Sequence, residues 1–369
     1  MKKLLLCLYI LSLTACVRQQ STDFSLFTRQ VEQIRQDYRN TGLALAIVKD
    51  NSVYYSEGFG NLTPQSLVRI ASISKSFTGV GIMQQVEAGR LSLQDDVSTL
   101  LGFSVHNPLY PDTPITLEHL LSHTSSLNDT YSSIDDLNPA LNSDYAQAYN
   151  TYAPGQGYCY CDYNITLAGT ILERTTGERF DNCIRSHILR PLHIDGDYNL
   201  DSLDQKRIAK LYYVTLSDTT LVLTEATGAY NQSARFSPAS GMKLSLEGLT
   251  HWMLFLMNDS IAVDMMRTRY PSYHNYGLTL LHSADYSDTV TLTGHKGGAY
   301  GMRSAFYFHP EEKYGFVVIS SGALNSPLPA YADDEALRIN RDSLYLPDGE
   351  GDTSIRVPLL RLMFKTLQK

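Results

Sequence analysis

The sequence predicts an α+β fold in which helices are segregated from an antiparallel sheet. Two observations predict it. Strand patterns occupy both ends of the chain: Leu43 to Val48 and Val53 to Phe59 near the start, then Thr289 to Thr293, Ser304 to His309 and Gly315 to Ser320 near the close. Helical patterns dominate the middle, so the two ends must come together to complete one sheet.

Each element has a local reason. Phe24, Phe27, Val31, Ile34 and Tyr38 recur at three-to-four spacing, an amphipathic helix over Phe24 to Arg39 that Gly42 ends. Lys49-Asp50-Asn51-Ser52 is a cluster of turn formers, so the first two strands make a hairpin. Ser74 to Ala88 carries Phe77, Val80, Ile82, Met83 and Val86 on an amphipathic helix, and Gly89 punctuates its end. Ile115 to Leu121 and Thr166 to Arg174 are further helices. Leu246 to Met257 is apolar nearly all round, the mark of a buried helix. Pro310 to Lys313 forms the turn between the last two strands, Leu324 to Asp352 is an irregular polar loop, and Ile355 to Leu367 is a closing amphipathic helix. There is no internal repeat.

The first residues bear on the compartment. Lys2 and Lys3 precede an apolar run from Leu4 to Ser12, and Leu13-Thr14-Ala15-Cys16 closes it. That is the pattern of a secretory leader, too short for a permanent span. The last four residues resemble a bacterial lipobox, which implies a leader over 1–15, lipid attachment at Cys16 and a tether over 16–22. The alternative is an ordinary leader cut nearby with Cys16 incidental. The expected location is therefore the bacterial cell envelope, as a lipoprotein on the periplasmic side of the outer membrane, Val17 giving no inner-membrane retention signal.

About 350 residues remain, enough for a sizeable core. A net charge of −8 argues against a nucleic-acid partner. Cys159, Cys161 and Cys183 stay in the mature chain, and an exported protein can pair two of them and leave one free. No histidine stands near them at ligand spacing, so neither a metal nor another cofactor is expected. Nothing local marks Cys161 as an activated thiol.

Three motifs carry chemistry. Ser72-Ile73-Ser74-Lys75 lies where a loop becomes a helix, and residues three apart share a helix face. A lysine there can take the serine proton if its surroundings favour the neutral amine. Spacing alone does not separate this from a capping serine with a solvated lysine. Ser240-Gly241-Met242-Lys243 matches it too, although Gly241 disfavours a helical first turn. Tyr160-Cys161-Asp162 follows Pro154-Gly155 and precedes the helical run Ile165 to Leu172, so both polar side chains can aim at one place and the phenol can act as a base. Tyr38-Arg39-Asn40 and Tyr273-His274-Asn275 have similar spacing without that context. Gly294-His295-Lys296-Gly297-Gly298 stands at the end of a predicted strand, where glycines admit a substrate backbone and an edge N–H can bind an oxyanion. A glycine-rich hairpin with a surface histidine is the plain alternative.

The order Ser-x-x-Lys, Tyr-x-Asp, His-x-Gly resembles the serine hydrolases related to class C β-lactamases, which include esterases, D-aminopeptidases and DD-peptidases. The similarity runs from about Leu43 to Gly322. Ile115 to Ser125, Gly89 to Val97 and Ser237 to Gly241 resemble family segments outside the triplets. The resemblance implies a five-stranded antiparallel sheet flanked by helices, in a domain over 23–369. Its sheet lobe would cover about 23–70 and 285–369, and its mostly helical lobe about 76–280. It implies that Ser72 attacks a carbonyl and that Lys75 and Tyr160 move the proton. The N–H groups of Ser72 and Gly298 would hold the oxyanion. Asp162, His295 and Gly297 would line the cleft, and Ser240 would be structural.

Three departures bear on the substrate. Asp162 stands where the lactamases carry asparagine, His295 where they carry lysine, and Ser126 where a glycine is expected. The first two disfavour an anionic drug. The reading is a peptidase, amidase or esterase on small or cell-wall-derived substrates. The alternatives are a class C-type β-lactamase or penicillin-binding protein, and a catalytically silent envelope protein that binds peptides or glycans.

Overall fold

This computed structural model describes residues 22–217, 220–225, 237–272, 275–299, 301–322 and 354–368. The leader, Cys16 and the tether before Thr22 lie outside the described residues, as does the stretch Leu324 to Asp352.

Helix α1 (Ser25–Asp37) leads into strands β1 (Gly42–Lys49) and β2 (Ser52–Gly60). Asp50 and Asn51 between them adopt positive φ, 51° and 60°, which suits a two-residue hairpin turn. Strand β3 (Val68–Arg69) precedes α2 (Ser74–Glu87), α3 (Val97–Leu101), α4 (Leu117–Leu121), α5 (Asp162–Thr176) and α6 (Phe180–Ile184). Strand β4 (Gly196–Asp197), the hairpin β5 (Tyr212–Ser217) and β6 (Thr220–Glu225), and β7 (Lys243–Leu244) follow. Helices α7 (Leu246–Asn258) and α8 (Ser260–Met266) lead to β8 (Leu281–Ser283), β9 (Leu292–Ala299), β10 (Met302–His309) and β11 (Tyr314–Ser321). Helix α9 (Arg356–Leu367) closes the chain.

The main sheet runs β2-β1-β11-β10-β9-β8, all antiparallel. Among the described residues it has six strands where five were expected; the sixth, β8, is a three-residue edge strand. Strand β1 pairs with β11, Leu43 opposite Ser320, so the ends of the chain do meet at the centre. Alternation then divides the core. Leu43, Leu45, Ile47, Phe316 and Val318 pack with α1 and α9 on one face. Ala44, Ala46, Val48, Phe306, Val317 and Ile319 pack with α2 and α7 on the other.

Helix α2 departs from its amphipathic expectation. Ser74 to Met83 are all buried. The helix is enclosed by α5, α7 and α8, with Phe77 stacked on Trp252 at 3.8 Å between centroids. Gly81 makes room: a Cβ there would meet Leu172 at 2.8 Å. Burial all round is what takes Lys75 out of water.

Candidate active site

The entry to α2 is a constrained turn. Ala71 has φ +47°, a left-handed backbone that costs a non-glycine residue about 1–2 kcal/mol. Ser72 follows in a 3-10 turn over Ala71–Ile73 and is partly exposed. Neighbours from four other segments hold the turn. Ser74 Oγ donates to Ala71 O (2.6 Å) and accepts from Met242 N (3.0 Å). The Tyr198 hydroxyl donates to Ser74 O (3.0 Å) and Trp252 Nε1 to Ser76 Oγ (2.9 Å). Ser304 Oγ on β10 donates to Ile70 O (3.0 Å). Strain of this kind persists only where surroundings over-determine it.

Lys75 is wholly buried, at 0% exposure. A buried ammonium needs partners. Nζ lies 2.6 Å from Asp162 Oδ1 and donates to Ala239 O at 3.2 Å. It also sits 4.7 Å from the centre of the Tyr160 ring, over its face. The first and second motifs thus meet at this nitrogen. Half of the Asp162 side chain is open to solvent.

The second motif hangs on the segment before it. Cys159 N donates to His123 O (3.0 Å) and Gly155 N to Thr124 O (2.8 Å), which ties 155–161 to the end of α4. His123, itself at φ +58°, places its ring 4.5 Å from Tyr160, and its Nδ1 accepts from Cys161 N at 3.3 Å. Helix α5 begins at Asp162, four residues earlier than its apolar pattern predicts. The reason is a cap from far away. The Asp129 carboxylate accepts from Asp162 N (3.1 Å) and Tyr163 N (3.0 Å), two of the amides a helix start leaves unpaired. Cys161 Sγ donates to the same carboxylate at 3.1 Å. Burial first, then Asp129, push this thiol well above its usual range. It is a protonated structural thiol, and Cys159, Cys161 and Cys183 are all free, with no disulfide formed.

The third motif lies inside β9 and not at its end, since the strand runs on to Ala299. Close packing explains the glycines. A Cβ at Gly294 would come within 1.9 Å of Phe306 O, and one at Gly297 within 2.1 Å of Ile70 O. Gly297 and His295 therefore share the sheet face that meets the Ser72 turn, while Lys296, Gly298 and Arg303 lie on the opposite face. Gly297 O accepts from Arg356 Nη1 (3.1 Å), which also reaches the facing Ser304 O (3.4 Å). The Gly297 peptide thus faces β10, and by alternation the exposed Gly298 turns its N–H to the other edge. Among the described residues, β8 pairs with β9 as far as Gly294, and no strand pairs with that edge beyond it.

His295 is 1% exposed. Its Nδ1 donates to Lys296 O (2.6 Å) and its Nε2 meets the Tyr276 hydroxyl (3.0 Å). The ring stands 6.4 Å from Tyr160 as a buried support and does not line the cleft as the resemblance implies. Ser240 accepts from Arg69 Nη2 at Oγ (3.0 Å) and from Arg69 Nε at its carbonyl (2.8 Å).

Sequence reasoning misses three residues that hold this arrangement: His123, Asp129 and Tyr276. His123 stands in the segment Ile115 to Ser125, which carried a resemblance but no role. Asp129 and Tyr276 carry no local signal, because each acts on a partner distant along the chain.

Residues 27–341 match the family model described as Beta-lactamase. The chain belongs to the beta-lactamase family. It is 26% identical over 307 residues to Protein flp of Staphylococcus aureus (strain MRSA252), a match covering 77% of this chain and 60% of that protein. The chain thus spans about three fifths of the length of this curated relative. Two solved structures share the fold. The D-amino acid amidase from Ochrobactrum anthropi SV3 superposes with a TM-score of 0.70 at 19% identity, covering 94% of this chain and 100% of that one. The octameric penicillin-binding protein homologue from Pyrococcus abyssi gives 0.69 at 23% identity, covering 88% and 77%.

Proposed function

We propose that this beta-lactamase family member is a serine hydrolase that cleaves amide or ester bonds through an acyl-enzyme, as a peptidase, amidase or esterase. The observation that carries the reading is Lys75: fully buried one helical turn after Ser72, and held between the Asp162 carboxylate and the Tyr160 ring. In this reading Ser72 Oγ bonds to the carbonyl carbon as its proton passes to the Lys75–Tyr160 pair. The carbonyl oxygen becomes an oxyanion facing the N–H groups of Ser72 and Gly298. Carbon–nitrogen or carbon–oxygen cleavage follows, the leaving group takes the proton, and water then hydrolyses the ester. Lys75 Nζ, 4.7 Å from the centre of the Tyr160 ring, keeps amine and phenol side by side for that transfer. Hydrolysis of a β-lactam drug is disfavoured because His295, where a lysine would hold the drug's carboxylate, is buried against Tyr276.

A fluorophosphonate probe tests the reading. It should label the wild type and leave Ser72→Ala unlabelled; equal labelling of the two would overturn it. We also propose that the protein is a bacterial envelope lipoprotein anchored through Cys16, on the strength of the Leu13-Thr14-Ala15-Cys16 motif. Metabolic palmitate should label it, and Cys16→Ala should abolish that labelling.

A further inference from the structure

Arg356 opens α9, which packs on the sheet face away from the nucleophile helix, yet its guanidinium reaches the strand that completes the site. The residue is 7% exposed. A guanidinium stays charged at any ordinary pH, and a buried cation needs acceptors. Nη1 donates to Gly297 O (3.1 Å) and Ser304 O (3.4 Å), and Nε to Ser354 Oγ (2.9 Å). Gly297 and Ser304 face each other across β9 and β10. Both abut the residue that leads into the nucleophile turn. Ser304 Oγ donates to Ile70 O (3.0 Å), and a Cβ on Gly297 would lie 2.1 Å from that same oxygen. One guanidinium therefore clamps the two backbone positions against which the Ser72 turn rests.

The clamp has an electronic consequence. Gly297 O and the Gly298 N–H belong to one trans peptide, so they point in opposite directions. The carbonyl faces β10 and Arg356, and the N–H faces the other edge of β9. The peptide is a resonance unit, so a cation on its oxygen draws electron density from its nitrogen. Hydrogen bonds linked in this way polarise one another, and a charged donor makes the strongest link. Resting on the serine hydrolase reading above, we infer that Arg356 is a positioning residue for the oxyanion: it fixes and polarises the Gly297–Gly298 peptide, so that the Gly298 N–H becomes a stronger donor. A stronger donor gains more as the bound oxygen becomes an anion than while it is a neutral carbonyl, so the benefit falls on the transition state. Losing a whole oxyanion donor costs about 10²–10³ in rate, and weakening one that stays in place should cost about tenfold.

The test compares a fluorophosphonate probe with its fluorothiophosphonate analogue, in which P=S replaces P=O. With either, Ser72 Oγ bonds to phosphorus, its proton passes to the Lys75–Tyr160 pair and fluoride leaves. Sulfur is a weak acceptor, so the thio probe draws little on the N–H donors. Arg356→Met should slow labelling by the oxo probe about tenfold and by the thio probe about twofold or less, so the oxo-to-thio ratio of rates falls about fivefold. Arg356→Lys keeps a cation and should restore part of that ratio. Should Arg356→Met fail to fold, Arg356→Lys against Arg356→Gln makes the same comparison, charge kept against charge lost. The ratio is internal to each variant, and a merely structural role slows both probes alike. An oxo-to-thio ratio unchanged in the neutral variants would overturn the inference, as would a lysine variant no different from them. The two failures stay distinct. Wild-type labelling with an unchanged ratio in the neutral variants removes this inference alone, and absence of wild-type labelling removes the hydrolase reading beneath it.

Discussion

The chain contains the same four-residue spacing twice, and the two copies have opposite fates. Both lysines are buried, Lys75 at 0% and Lys243 at 1% exposure. In the first copy the backbone is a helix start. Lys75 returns over the turn, and a carboxylate and an aromatic face converge on it. In the second copy the chain passes from a turn at Ser237–Gly241 into strand β7, so Ser240 and Lys243 do not share a helical face. Lys243 donates to Tyr198 O at 2.9 Å, and Arg69 binds both the hydroxyl and the carbonyl of Ser240. Residues at one spacing thus become a reactive pair or a rivet according to the backbone between them. The rivet even borders the pair, since Ala239 O accepts from Lys75.

The comparison breaks most directly at the lysines. Lys75→Met should slow fluorophosphonate labelling by about a thousandfold, the scale of a lost base. Lys243→Met should leave the labelling rate of the folded protein unchanged and lower its stability by about 1–3 kcal/mol, because Tyr198 O loses its buried donor. Labelling kinetics beside denaturant unfolding of both variants decides the matter, and a matching loss of labelling in both would erase the distinction drawn here.

An acid titration sharpens it next. The segment that carries His123 starts at the capping box of α4, where neutral His119 Nδ1 accepts from Thr116 N at 3.1 Å. Burial pushes His119 down to about 4 from an unfolded value of 6.5. Between those values the unfolded chain binds a proton that the native state refuses. Its contribution is complete above about pH 6.5 and is lost as the pH falls through 4, on the order of 3 kcal/mol. Unfolding free energies at pH 7 and pH 4.5 should show this loss, and His119→Gln should flatten it. An unchanged slope in that variant would assign the acid sensitivity elsewhere.

The smallest effect belongs to Asp129. Asp129→Asn keeps one acceptor and loses the charge at the start of α5. It should cost about 1 kcal/mol of stability and slow labelling far less than Lys75→Met does. A loss of labelling as large as that of Lys75→Met would place Asp129 in the chemistry itself.

How much of this is legible in the sequence follows from the range of each interaction. The β1–β2 hairpin and helices α1, α7 and α9 fall close to where periodicity places them, because alternation and helical spacing are local signals. Strand β9 is displaced, from Thr289–Thr293 to Leu292–Ala299, because glycine weakens a strand on its own. Here the neighbouring Phe306 and Ile70 backbones leave no space for a side chain. The early start of α5 is invisible for the same kind of reason, its cap being supplied from residue 129. One-sided apolar spacing in α2 does not reveal that other helices enclose it.

Fold class, the order of the three motifs and the residue types that any acyl transfer here would use are all readable along the chain. These are properties of neighbours along the chain. Three-dimensional packing selected which of two identical spacings has its lysine beside a carboxylate and a phenol. It also decided that His295 is a buried support, and that Asp162 keeps half of its side chain in water. Burial and long-range pairing set those outcomes. The carbonyl that binds Lys75 lies 164 residues further on, and no local pattern encodes a partner at that distance.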